Sequence, residues 1–178
     1  MNIYGESMPG FMNILILSRY SDVRAGEFSE ILQDKLLNHG FFVSICNRDL
    51  LHADTSLFNL ENKPDMIVVV GGDGTILLAT QRMPVQIPIL GINYGEVGFL
   101  ADVDPDEAFS FITSLALPLP VEPRMRIELR LNGKLLGTSL NEALIVTDRP
   151  SKMLKFLINI DGNIAERCWN NKQKFSIQ

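Results

Sequence analysis

The chain should fold as an α/β N-terminal domain with a mostly parallel sheet, followed by the incomplete start of a β-rich domain. Three observations predict this. Up to about residue 116, short apolar runs of strand length alternate with segments of three-to-four periodicity, the grammar of βαβ units. The proline-rich segment 117–123, Leu-Pro-Leu-Pro-Val-Glu-Pro, then interrupts the chain and reads as a short stiff linker. Beyond it the periodicity drops to two, and two-residue turn signals follow.

Residues 1–11 contain Gly5, Pro9 and Gly10 and read as an extension or the product of an upstream start site. Met12 to Leu17 has the length and apolar density of a buried parallel strand. Between Arg24 and His39 the positions Phe28, Ile31, Leu32, the stem of Lys35, and Leu36 form one helical stripe, with Glu30, Gln33 and Asp34 opposite. Gly40 stops that helix as a C′ residue. Phe41 to Ile45 is a second strand, residues 47–64 are less regular, and Met66 to Val70 is a third strand. A helix is expected over Ile76 to Arg82, and a strand over Ile87 to Ile92. Asp104-Pro105-Asp106-Glu107 supplies an N-cap, an N1 proline and two early acids for a helix reaching about Leu115.

In residues 124–178, Met125 to Leu131 alternates strictly and leads into the hairpin signal Asn132-Gly133. Ala143 to Val146 and Met153 to Ile160 are further strands, the latter ending at the turn Asp161-Gly162. The domain plan is therefore an extension at 1–11, an α/β domain at 12–116, a linker at 117–123 and a partial β-rich domain at 124–178.

Composition narrows the function. With 178 residues, 46% hydrophobic and 21% charged, the chain can bury a real core. A net charge of −5 leaves no basic footprint for nucleic acid or an anionic membrane surface. No apolar run approaches the ~18 residues that span a bilayer, and no leader pattern stands at the start, so a cytoplasmic location is expected. Cys46 and Cys168 stand far apart without metal-ligand spacing and read as two free thiols, with a single disulfide as the alternative. Neither His39 nor His52 has catalytic company; His39 fits a helix C-terminus.

Three motifs carry chemistry. Gly71-Gly72-Asp73-Gly74-Thr75 follows the strand Met66 to Val70, so backbone amides there can close on an anion with no Cβ in the way. Asp73 in such a loop would repel phosphate unless Mg²⁺ or a hydroxyl stood between them, which suggests phosphoryl chemistry on an alcohol. The competing reading is a tight turn in which Asp73 caps the following helix. Gly91-Ile92-Asn93-Tyr94-Gly95-Glu96-Val97-Gly98-Phe99-Leu100 is a second glycine-spaced loop that does not match the dinucleotide fingerprint. It is either a plain loop or, with the first, the lining of one crevice at the carboxyl ends of the strands. Asn141-Glu142 precedes the strand at Ala143; it suits nucleoside hydroxyls or a base edge, and equally a solvated start of a strand.

In this order, the motifs Gly-Gly-Asp-Gly-Thr, Gly-Ile-Asn-Tyr-Gly-Glu-Val-Gly-Phe-Leu and Asn-Glu-Ala-Leu-Ile closely resemble those of the NAD kinases, from about Met12 to Arg167. Lipid kinases of the diacylglycerol and sphingosine type share the first motif, but they place Asn-Glu soon after it, whereas here Ile76-Leu77-Leu78-Ala79 follows. The resemblance implies phosphoryl transfer from ATP, or polyphosphate, to the 2′-hydroxyl of the NAD adenosine ribose, with Mg²⁺ or another divalent cation. It implies Asp73 as proton acceptor and Gly74, Asn141, Glu142 and Lys152 as NAD contacts. Gly71, Gly72, Thr75, Asn93, Gly95, Gly98 and Phe99 would form the phosphate and nucleotide loops. No residue is assigned to a metal. Homo-oligomers of a two-domain kinase are the family's assembly.

The resemblance breaks after Arg167. The family continues toward Gly-Ser-Thr-Ala-Tyr-Ser, whereas this chain runs from Trp169 to Gln178 in unrelated polar sequence. A frameshift, a premature stop, a truncated gene or a natural short form would each give this ending. The alternative function is accordingly an inactive nucleotide-binding fragment of such a kinase, and behind it a lipid kinase.

Overall fold

The computed structural model describes residues 12–19, 21–46, 63–83, 85–95, 98–145, 154–170 and 175–177. Two compact units emerge, Met1–Pro123 and Arg124–Gln178. The first contains strands β1 (Asn13–Ser18), β2 (Phe42–Cys46), β3 (Met66–Gly71) and β4 (Ile89–Asn93), with helices α1 (Val23–Asn38), α2 (Asp73–Arg82) and α3 (Pro105–Ser114). The four strands form one parallel sheet in the order β2-β1-β3-β4.

Helices cover both faces, so the strands alternate between two cores. Ile14, Ile16, Val68, Val70 and Ile92 pack with Leu32 and Leu36 of α1 and with Ala108 and Ile112 of α3. Leu15, Leu17, Ile67 and Val69 pack with Ile76, Ala79 and Met83 on the opposite face. Burial on both faces is why these strands read as unbroken apolar runs. The strand order reverses beside β1, since β2 lies on one side and β3 on the other. Such a reversal opens a crevice at the carboxyl ends of the strands.

Local chemistry sets the helix limits. The Asp22 carboxylate accepts from the Arg24 and Ala25 amides at 3.1 and 3.3 Å, capping α1. At the other end Gly40 has φ 96°, and the Phe41 and Gly40 amides donate to Leu36 and Leu37 carbonyls, a Schellman stop. The expected α1 stripe needs one correction: Ile31 is exposed, while Ser29 is buried with its hydroxyl donating to the Ala25 carbonyl at 2.7 Å. A hydroxyl that satisfies itself on its own helix can occupy a core position. Gln33, expected on the outer face, donates to the Val43 carbonyl at 3.1 Å. Helix α2 begins three residues earlier than its apolar periodicity indicated, at Asp73 rather than Ile76. Helix α3 has Asp104 at its N-cap position but without a side-chain capping bond.

The second unit holds β5 (Ile127–Leu131), β6 (Lys134–Ser139), β7 (Ala143–Ile145), β8 (Leu154–Ile160), β9 (Asn163–Asn170) and β10 (Phe175–Ile177). They pair antiparallel as β5-β6, β8-β9 and β7-β10. Both hairpin turns carry paired left-handed residues: Asn132 and Gly133 at φ 50° and 79°, Asp161 and Gly162 at 51° and 84°. That is the mirror-image turn whose twist matches the flanking strands.

Candidate functional site

The two glycine loops leave adjacent strands at the same end of the sheet. Gly71 closes β3 opposite Asn93, which closes β4, and the Tyr94 amide donates to the Gly71 carbonyl at 3.2 Å. After the second loop the chain returns along β4, with Ile92 bridging Val103 in parallel. The Asn93 amide donates to Val103 at 2.8 Å and the Val103 amide to Gly91 at 3.2 Å. These bonds fix both ends of the segment that contains Gly98 to Ala101.

Asp73 joins the loops. The reading of Asp73 as a cap is corrected here: Gly72 holds the N-cap position of α2 and Asp73 is the first residue of the helix. Its carboxylate reaches across to the second loop. Oδ2 accepts from the Phe99 amide at 2.8 Å, and Oδ1 from the amides of Leu100 and Ala101 at 2.9 and 3.3 Å. The Phe99 amide above all, with the other two, holds the carboxyl below the ordinary carboxylate range, although partial burial works the other way. Proximity to the α2 N-terminus also suits the anionic form.

The glycines divide into two groups. A Cβ on Gly71 would lie 2.6 Å from the Thr75 hydroxyl, and one on Gly91 2.6 Å from Ile76 Cδ1 and 2.8 Å from the Ala101 Cα. One on Gly98 would lie 2.2 Å from Asp73 Oδ1. These three are required by the protein's own packing. Gly72, Gly74 and Gly95 have nothing within 4 Å of such a Cβ. Open space beside glycines of a loop that ends a strand leaves room for the backbone to meet a ligand closely.

Other expected site residues fall as follows. Thr75 anchors the first turn of α2 through its amide, which donates to the Gly72 carbonyl at 2.9 Å. Asn93 Oδ1 is buried with no hydrogen-bond partner among the described residues, a condition polar atoms rarely keep without water or ligand. Phe99 is 96% exposed. Asn141 and Glu142 belong to the second unit, where both are exposed and their amides donate to the Ser139 hydroxyl at 3.3 and 3.1 Å. Lys152, His52, Glu96 and Val97 lie outside the described residues. Cys46 is a free, buried thiol, and the side chain of Cys168 is likewise outside the described set. Sequence reasoning missed Leu100 and Ala101, because they act through backbone amides that leave no side-chain signature. It also missed the tight fit of Gly91, for which the glycine itself was the signal.

Among the described residues no group of three His, Cys, Asp or Glu side chains could hold a metal ion. Both Asp73 oxygens are already engaged by amides.

Residues 51–117 match the family profile of the ATP-NAD kinase N-terminal domain. The chain is 62% identical over 156 residues to the NAD kinase of Methanospirillum hungatei, and 43% identical over 157 residues to that of Methanoculleus marisnigri. Each match covers 88% of this chain and 58% of the relative, so the chain spans a little over half the length of these curated relatives. Among solved structures it is similar to an NAD kinase from Archaeoglobus fulgidus in complex with ATP. That match has a TM-score of 0.67 and 28% identity, and covers 90% of this chain and 58% of that one. Together with a parallel sheet whose two glycine loops are tied through Asp73, these matches show a chain similar to the N-terminal part of the NAD kinases.

Proposed function

We propose that the chain carries the nucleotide-handling part of an NAD kinase, in which a phosphoryl group passes from ATP, or polyphosphate, to the 2′-hydroxyl of the NAD adenosine ribose. The observation that carries this reading is the Asp73 carboxylate, fixed by three amides between two glycine loops whose remaining glycines face open space. In the ATP reaction the 2′-oxygen bonds to the γ-phosphorus as the bond to the β–γ bridging oxygen breaks and ADP leaves. The hydroxyl proton passes to Asp73 and on to water.

A carboxylate with a lowered pKa is a weak base toward an alcohol. The loose transition state of phosphoryl transfer tolerates this, because the hydroxyl needs to lose its proton only late. Asp73 then acts chiefly by accepting the hydroxyl hydrogen bond and aiming the oxygen. Amides at the open glycines and Asn93 Oδ1 are placed to meet ligand atoms, with Gly71, Gly72, Thr75, Gly95, Gly98 and Phe99 shaping the loops. Gly74 is an NAD contact in this reading, as are Asn141, Glu142 and Lys152. Mg²⁺ held on the phosphates of ATP, with no residue of this chain assigned to it, would supply neutralisation of the developing phosphate charge.

The reading extends to the domain plan of extension 1–11, nucleotide-binding domain 12–116, linker 117–123 and partial β-rich domain 124–178. It also extends to a cytoplasmic setting without nucleic-acid or membrane partners, and to homo-oligomers of a form whose C-terminal domain is complete; among the described residues no helix is long and apolar enough to cross a membrane. The test is to incubate the purified chain with NAD, ATP and Mg²⁺ and measure NADP. Product that disappears with Asp73→Asn while NAD binding persists is the expected result. NAD binding without product in the unaltered chain would favour the inactive-fragment reading instead, and neither binding nor product would remove the proposal.

A further inference from the structure

Gly98 stands apart from the other glycines of the site. A Cβ built there would lie 2.2 Å from Asp73 Oδ1, 2.6 Å from Cγ and 2.9 Å from Oδ2, and these are the three atoms nearest to it. At Gly71 and Gly91 the corresponding obstacles are side chains and backbone of the surrounding packing, among them Thr75, Ile76 and Leu100. Only at 98 is the obstacle the carboxylate itself. That carboxylate cannot swing aside freely, because its two oxygens receive the amides of the next three residues, Phe99, Leu100 and Ala101. Any side chain at 98 must break those bonds or push the loop off α2.

We propose that Gly98 is a positioning residue that acts through Asp73: its missing side chain lets the carboxylate dock on the amides of Phe99, Leu100 and Ala101, and the docked carboxylate sets the pose of that loop. The sequence expectation gave Gly98 to the phosphate loop; on this inference it makes room for an anion that belongs to the protein. The exposed Phe99 ring then owes its placement to a bond made by its own amide. The lowered pKa of Asp73 is in keeping with this, since the same amides cause it.

The inference deepens the proposed reading of Asp73, but its test needs no turnover, so the two can fail separately. Isotope-labelled 178-residue chains are compared by NMR as the unaltered form, Gly98→Ala, Asp73→Ala and the double variant. In Gly98→Ala the Asp73 carboxyl should titrate nearer the ordinary carboxylate value. Amide exchange at Phe99, Leu100 and Ala101 should quicken about tenfold or more. In the Asp73→Ala background, adding Gly98→Ala should change that exchange less than about twofold, because the obstacle is gone.

An Asp73 titration unmoved by Gly98→Ala, or equal quickening in both backgrounds, would overturn the proposal. Should Gly98→Ala fail to fold, recovery of the fold in the double variant supports it. A double variant that stays unfolded while Asp73→Ala alone folds overturns it.

Discussion

The two units were assembled from the same kind of local instruction, yet they use it differently. In the first, every strand of β1 and β3 is buried on both faces by helices that come from elsewhere in the chain. In the second, β5-β6 and β8-β9 are two-stranded ribbons, and Leu131, Leu135, Leu136, Leu157, Ile160 and Ile164 are exposed. The difference teaches that register and burial are separate achievements. A hairpin fixes its register through two turn residues with positive φ, as at Asn132-Gly133 and Asp161-Gly162. Burial needs a second layer, and a two-stranded ribbon has little stability of its own in water.

The contrast breaks most visibly under truncation of one leucine in each unit. Leu36→Ala removes a fully buried side chain from the core between the sheet and α1, and should cost about 2–5 kcal/mol in denaturant unfolding. Leu157→Ala removes an exposed one and should stay within about 0.5 kcal/mol. Equal costs would mean that the ribbons rest on a layer as firm as the sheet's.

The next effect is chemical. In the proposed reaction Asp73→Asn should lower turnover by about 100-fold or more, the scale of losing one charged group aimed at the reacting centre, with NAD affinity little changed. Steady-state NADP formation beside NAD titration checks it, and near-normal turnover would remove Asp73 from the mechanism.

A smaller effect is one of pH. Because the folded Asp73 carboxyl titrates below its ordinary value, its contribution to stability is present above about pH 4 and is lost as the pH falls through the lower, folded value. The melting-temperature gap between the unaltered chain and Asp73→Asn should therefore shrink in acid below about pH 4, and a gap constant through that range would contradict the three-amide arrangement. The smallest expected change is Gly74→Ala. Gly74 is the second residue of α2, where alanine gains only part of the roughly 0.5–1 kcal/mol it holds over glycine in mid-helix, and nothing lies within 4 Å of the added methyl. A slight rise in melting temperature with weakened NAD binding is the expected pair of results.

Much of the first unit was legible in the sequence, because parallel strands buried on both faces must be apolar throughout and Gly40 must adopt a conformation that stops a helix. Ile31 was misplaced and Ser29 passed over because a periodicity of hydrophobic residues cannot see a serine that satisfies its own hydroxyl. The start of α2 was set late for a related reason: its first turn is Asp, Gly and Thr, which carry no apolar signal. Both glycine loops were legible as loops. Their sharing of one crevice was among the readings, but the bonds that tie them were not, since the partners of Asp73 are backbone amides 26 to 28 residues away and any residue type supplies an amide.

The split among the glycines bears on how this motif tolerates change. A library of variants sorted only for soluble, well-folded product should purge replacements at 71, 91 and 98, where the new atom collides with the protein, and pass those at 72, 74 and 95, where it meets nothing. Sorting the survivors by capture on an immobilised nucleotide would then expose the second set. Three of the six glycines in the two loops are thus invisible to any selection that never offers the protein a guest.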